Sequence, residues 1–120
     1  MVDTVVLYGI KTCSTVKKAM KWLEDRGIPV RYHDVRKDGL TAALLEGWVE
    51  AVGWEKLLNR SSLTFRRLDE AQRQDLTQAR AVALMLEHPT LVRRPVLESG
   101  KTVTVGFRPE LYEGLFAPTA

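Results

Sequence analysis

A single cysteine, Cys13, stands in the 120 residues of this chain. An internal disulfide is thereby excluded, and so is a cysteine-rich zinc site. Whatever Cys13 does, it does with an outside partner. Histidine is almost as scarce, and His33 and His88 lie far apart in sequence with no further ligand spaced beside either, so no metal site is expected. Long apolar runs are missing too. Val5-Val6-Leu7-Tyr8 and Ala81-Val82-Ala83-Leu84-Met85-Leu86 fall far short of the ~20 residues that span a bilayer. Asp3, Gly9 and Lys11 interrupt any apolar segment near the start, so no secretory signal is expected and a soluble, cytoplasmic chain without membrane partners is the simplest reading. Neither internal repeats nor low-complexity stretches occur.

What is present is ordinary globular composition. Hydrophobic residues make up 45% and charged residues 28%, which excludes a disordered or collagen-like chain. At this length one domain with one core is expected, and nothing demands more than a monomer. Eighteen Lys and Arg against fifteen Asp and Glu leave a net charge of +3. The excess is scattered except at Lys11 with Lys17-Lys18, at Arg66-Arg67, and at Arg93-Arg94 with Arg108. No aromatic residues interleave with these groups as nucleic-acid binding would require, so a small anion is the expected partner rather than nucleic acid.

Hydrophobic periodicity divides the chain into elements. Thr4 to Tyr8 is a β-branched, apolar run ended by Gly9, which predicts a buried strand. From Ser14 the spacing becomes helical: Val16, Ala19, Met20 and Leu23 form a stripe opposite Lys17, Lys18, Lys21, Glu24 and Asp25, and Gly27 stops the helix. Val30 to Val35 alternates as a second strand, parallel to the first because one helix joins them. Helical pieces are predicted over Thr41–Val52, Trp54–Leu58, Asp69–Leu76 and Thr77–Glu87, with Pro89 ending the last. The three tryptophans, Trp22, Trp48 and Trp54, fall on or near these apolar stripes as packing residues. Pro95–Glu98 and Thr102–Val105 flank a Ser99-Gly100 turn and predict a hairpin, and Pro109 opens a final helix over Glu110–Phe116. The order is β-α-β, a helical block over residues 37–88, then β-β-α. An α/β fold with a four-stranded sheet and helices on both faces accounts for it.

Cys13 falls between the first strand and the first helix, in Gly9-Ile10-Lys11-Thr12-Cys13-Ser14-Thr15. The first N–H groups of a helix lack intrahelical partners, and the aligned peptide dipoles leave positive charge there. A thiolate set against the Ser14 and Thr15 N–H groups is favoured over the thiol, and Lys11 and Lys17 push the same way. The pKa then falls from ~8.5 toward the range of activated, nucleophilic cysteines. The polar neighbours Lys11, Thr12, Ser14 and Thr15 argue against a cysteine that is merely buried packing. Val16 stands where a Cys-x-x-Cys pair would have its second thiol, so a mixed disulfide on Cys13 has to be resolved by an external thiol.

Three separated segments carry a resemblance: Tyr8-Gly9-Ile10-Lys11-Thr12-Cys13-Ser14-Thr15-Val16-Lys17-Lys18-Ala19, His88-Pro89-Thr90-Leu91-Val92-Arg93-Arg94-Pro95-Val96, and Val105-Gly106-Phe107-Arg108-Pro109-Glu110. Together they resemble the arsenate reductase/Spx family of thioredoxin-like proteins, and most of all its YffB-type members. The resemblance implies a thioredoxin-like mixed four-stranded sheet in a single domain, with residues 1–36 and 89–120 as core and 37–88 as a helical insertion. It implies that Cys13 is the redox-active cysteine, that Arg94 and Arg108 hold an oxyanion and lower the thiol pKa, and that Pro95 follows a cis peptide bond.

Two departures from the family pattern shape the expected function. Where arsenate reductases carry a third arginine after a Leu-Leu pair, Leu57-Leu58 is followed by Asn59, with Arg60 one place later, so an oxyanion would be polarised less well. Leu58 to Leu68 instead resembles the asparagine-containing insertion of the Spx and YffB branches. Where Spx regulators carry Cys-x-x-Cys, Val16 removes the switch. The expected function is therefore a monothiol thiol/disulfide reductase with glutathione as co-substrate and no bound cofactor, served by glutaredoxin or a protein disulfide as partner. The alternatives are a glutathione- and glutaredoxin-linked arsenate reductase and an Spx-like regulator whose helical insertion docks on RNA polymerase.

Overall fold

The computed structural model describes residues 5–116, and Thr4, expected to begin the first strand, lies outside the described residues. The chain divides into two compact units. Val35–Arg93 forms one, and the chain through Asp34 and from Arg94 onward forms the other.

In the second of these, β1 (Val5–Gly9), α1 (Ser14–Asp25) and β2 (Val30–Asp34) come from the N-terminal side, and β3 (Val96–Ser99), β4 (Thr102–Val105) and α7 (Pro109–Phe116) from the C-terminal side. The four strands form one mixed sheet in the order β2-β1-β3-β4. β1 pairs in parallel with β2 and antiparallel with β3, and β3 pairs antiparallel with β4. The β3–β4 connection is the two-residue loop Gly100-Lys101, with Gly100 at the positive φ of 60° that tight hairpin turns need at their first position. Side chains alternate across the pleat, so Val5, Leu7 and Leu97 share one face. Val16, Ala19, Trp22 and Leu23 of α1 and Tyr112 of α7 close over that face as a single core cluster. Tyr112, fully buried, meets Trp22 and Phe107 edge-on at ring separations of 5.5 and 4.8 Å. Each such pair is worth about 0.5–1.5 kcal/mol beyond its buried area.

The end of α1 is fixed by its sequence. Gly27 takes φ +65°, its N–H reaches the Glu24 carbonyl at 3.0 Å, and the Ile28 N–H reaches the Leu23 carbonyl at 3.0 Å. This is a Schellman closure, and its apolar contact is supplied by Ile28 and Leu23 in the core. The helix is thus pinned between a defined C-terminus and the loop that carries Cys13.

The unit over Val35–Arg93 is helical: α2 (Ala42–Val52), α3 (Trp54–Leu57), α4 (Leu63–Arg66), α5 (Glu70–Arg73) and α6 (Gln78–Glu87), followed by a 3-10 turn at Pro89–Leu91. Thr41 and Thr77 cap α2 and α6 by accepting the Leu44 and Arg80 N–H groups. Asp69–Leu76, expected as one helical piece, contains only the single turn of α5. A capping box between Asp69 and Gln72 starts it, and Asp75, at φ 52°, stands in a left-handed conformation that no helix continues through. α4 is a further turn that periodicity did not predict, started by the Ser62 side chain accepting the Phe65 N–H. Trp48 and Trp22 are buried as their stripes predict, whereas Trp54 is only half-buried, with Arg60 5.5 Å above its ring. Among the described residues no helix is long and apolar enough to cross a membrane.

Candidate functional site

Sheet register decides what meets at the site. Gly9 lies opposite Asp34, Tyr8 opposite Val96, and Val96 opposite Val105. The exits of β1, β2 and β4 and the entry of β3 therefore share one end of the sheet. Lys11–Thr15, Asp34, Arg94 and Arg108 are delivered to that end by connectivity alone.

Three hydrogen bonds tie the short β1–α1 loop. The Cys13 N–H donates to the Ile10 carbonyl at 3.0 Å, closing a turn, and the Cys13 carbonyl accepts the Lys17 N–H at 3.1 Å as the first helical bond. The Lys11 N–H donates to the Asp34 carboxylate at 3.2 Å, and Asp34 is the one buried charged residue among those described. Cys13 is consequently the N-cap of α1, in extended geometry at φ −78°, ψ 120°, with its side chain half-buried.

Burial pushes the Cys13 thiol up, but the Val16 N–H, the Arg94 side chain and the Thr15 N–H outweigh it, joined by the charge of Arg94, and the thiol ends below its ordinary value. The sulfur makes no strict capping hydrogen bond, as suits a large and weak acceptor, so these donors act at looser range than a hydroxyl cap would impose. They still favour the anion over the thiol. Thr15 and Val16 are the second and third helical residues after the cap, the two positions whose N–H groups an N-cap side chain reaches. Ser14, the first helical residue, is exposed, and the Val16 N–H joins that of Thr15 among the groups that lower the thiol.

The other expected residues divide. Arg94 is half-buried beside the thiol, the Arg94-Pro95 bond is cis, and the Pro95 carbonyl accepts the Gly106 N–H at 2.8 Å. Lys11 and Arg108 are exposed, and neither is among the groups acting on the thiol. Lys11 contributes its backbone N–H to Asp34, and Arg108 its carbonyl to the Tyr112 N–H at 3.2 Å, at the start of α7. The Val16 N–H follows from capping geometry once Cys13 is known to be the N-cap, whereas the part played by Asp34 needs the strand register. Among the described residues no group of three or more His, Cys, Asp and Glu side chains is arranged to hold a metal ion.

With this geometry in hand, the sequence matches the ArsC family over residues 8–115. The chain belongs to the ArsC family. A solved structure of a YffB protein is 46% identical to this ArsC-family chain and superposes with a TM-score of 0.92, covering 95% of this chain and all of the other. An arsenate reductase related protein from Brucella melitensis is 48% identical, covers 96% of each chain and superposes with a TM-score of 0.76. A global transcriptional regulator Spx from Bacillus anthracis is 28% identical over 88% of this chain and 82% of its own length. The fold is accordingly the thioredoxin-like α/β arrangement of the family.

Proposed function

We propose that this ArsC-family protein is a monothiol, glutathione-dependent thiol/disulfide reductase whose nucleophile is the Cys13 thiolate. The observation that carries the proposal is a half-exposed thiol at a helix N-terminus, turned toward the anion by the Val16 and Thr15 N–H groups and by Arg94, in a chain with no second cysteine. The Cys13 sulfur attacks a mixed disulfide between a protein and glutathione. A new disulfide forms between Cys13 and glutathione, and the protein sulfur leaves as thiolate, taking up a proton from solvent. A free glutathione thiolate then attacks the Cys13-bound glutathione, releasing the Cys13 thiolate and oxidised glutathione, so the net exchange turns one mixed disulfide and one free glutathione into the protein thiol and oxidised glutathione. Arg94 stays beside the Cys13 sulfur and favours its thiolate, while Arg108 and Lys11, exposed cations at the same end of the sheet, suit the carboxylates of glutathione.

Mass spectrometry of the intact protein after exposure to oxidised glutathione tests the reading. An adduct of about 305 Da, reversed by reduced glutathione and absent in Cys13→Ser, is the expected result. A chain that stays unmodified overturns it.

Arsenate reduction is a second reading, favoured by the 48% identity to an arsenate reductase related protein. Asn59 weighs against it. The position that would supply a third arginine is occupied by a short side chain engaged locally, its oxygen accepting the Ser61 N–H at 3.1 Å. Arsenate-dependent NADPH consumption in a glutaredoxin-coupled assay, lost in Cys13→Ser, decides for arsenate. An Spx-like regulatory role rests on the relatives of that name. Capture of RNA polymerase that survives Cys13→Ser decides for it.

A further inference from the structure

We propose that Gly9 is a positioning residue for Cys13: its missing side chain lets Val16 seat the first turn of α1 against the end of β1, and that seating holds the helix N–H groups at the sulfur. The inference rests on reading Cys13 as the nucleophile. Gly9 is the last residue of β1, and a Cβ built on it would stand 2.6 Å from Val16 Cγ2, 2.8 Å from Cγ1 and 3.2 Å from Cβ. Gly9 is not among the residues at positive φ, so the requirement for glycine comes from the steric contact and not from its backbone conformation.

Val16 cannot yield by itself. Both methyl carbons lie within 2.8 Å of the Cβ built on Gly9, a β-branched residue in a helix has one strongly preferred χ1, and the side chain is only 2% exposed. The two methyl carbons make the prohibitive contacts, whereas the Cβ, at 3.2 Å, has to give by only a few tenths of an ångström. Relief therefore requires the backbone of residue 16 to move away from β1, and that backbone carries the Val16 N–H and, one residue back, the Thr15 N–H. Cys13 is held on both sides, by its N–H to the Ile10 carbonyl and by its carbonyl to the Lys17 N–H, and the loop by the Lys11 bond to Asp34, so a Val16 backbone that backs away from β1 moves relative to a sulfur that the loop restrains. Gly9 and Val16 thus act on Cys13 through distance, without either side chain touching it in the reaction.

The test is the pH dependence of iodoacetamide alkylation in the wild type, Gly9→Ala, Val16→Ala and the double variant. Gly9→Ala is expected to raise the alkylation midpoint by about half a pH unit or more, a change of about threefold in the thiolate fraction at pH values below the midpoint. The double variant is expected to match Val16→Ala, because removing the two methyl carbons makes room for the new Cβ. A folded Gly9→Ala with the wild-type midpoint overturns the inference, as does a double variant with a midpoint above that of Val16→Ala. If Gly9→Ala does not fold, the second comparison carries the decision alone: equal midpoints support the contact, and a raised one shows that Gly9 acts by another route. Failure of the functional reading looks different, since a wild-type midpoint at the ordinary thiol value of ~8.5 denies an activated Cys13 before any variant is compared.

Discussion

Arg94→Gln isolates the one side chain that acts on the Cys13 thiol through both a hydrogen bond and a charge. A hydrogen bond to a charged group is worth about 1.5–3 kcal/mol, and Cys13 is only half-buried, so solvent screening reduces the loss to about 1 kcal/mol. At about 1.4 kcal/mol per pKa unit, the midpoint should rise by roughly 0.7 unit. Rate does not follow thiolate fraction alone, because a thiolate of higher pKa is the better nucleophile, with a Brønsted coefficient of about 0.4–0.5. The fivefold loss in thiolate below both midpoints is therefore about halved in logarithmic terms, to roughly two- to threefold in rate. Above both midpoints the order reverses and the variant reacts about twofold faster. Stopped-flow kinetics with a neutral disulfide across pH 5–10, a range of roughly five units, should show two rate curves that cross. Arg94→Lys, which keeps the charge and loses the planar fork, should fall between them. Curves that superpose, or a variant slower at every pH, would refute the assignment of Arg94 to the thiolate.

Other consequences concern stability. The folded-state pKa of Cys13 lies below its unfolded value, so between the two the folded chain binds fewer protons than the unfolded one. Urea stability should climb with pH through that window up to ~8.5 and fall again as the pH drops through the folded value, and Cys13→Ser should flatten this increment. Leu97→Ala opens a cavity at a fully buried site of the sheet and should cost about 2–5 kcal/mol by urea denaturation. Asp34→Ala removes the acceptor of the Lys11 N–H and should cost about 1–3 kcal/mol, whereas Asp34→Asn, which keeps an acceptor oxygen, should cost less.

Elements with a long apolar pattern were legible in the sequence, and those built from local bonds were not. α1 runs from Ser14 to Asp25 as its stripe predicts, because four buried residues repeat at helical spacing and Gly27 closes the end. The hairpin follows equally well, since β-branched runs flank a glycine that can take positive φ. α4 and the 3-10 turn at Pro89 are too short to show a period, and α5 falls short of its predicted span because Asp75 stands in a left-handed conformation. The pairing of Leu58 with Val92, flanked by bonds from Asn59 to Leu91 and from Arg93 to Leu57, joins segments far apart in sequence and has no local signature.

At the site, the place of Cys13 was readable because a strand followed by a helix defines the cap. The Val16 N–H follows once Cys13 is the cap, because an N-cap side chain reaches the N–H groups of the second and third helical residues. Gly9 and Asp34 became visible only in three dimensions, since the one is defined by what a Cβ would strike on α1 and the other by a bond across from β2 to the loop.

The pH dependence of Cys13 alkylation in the unmodified protein tests the central claim most directly. The account predicts a midpoint clearly below the ~8.5 of an ordinary thiol, with thiolate already present at neutral pH. A midpoint at or above that value would return Cys13 to the inert class and contradict a nucleophilic role.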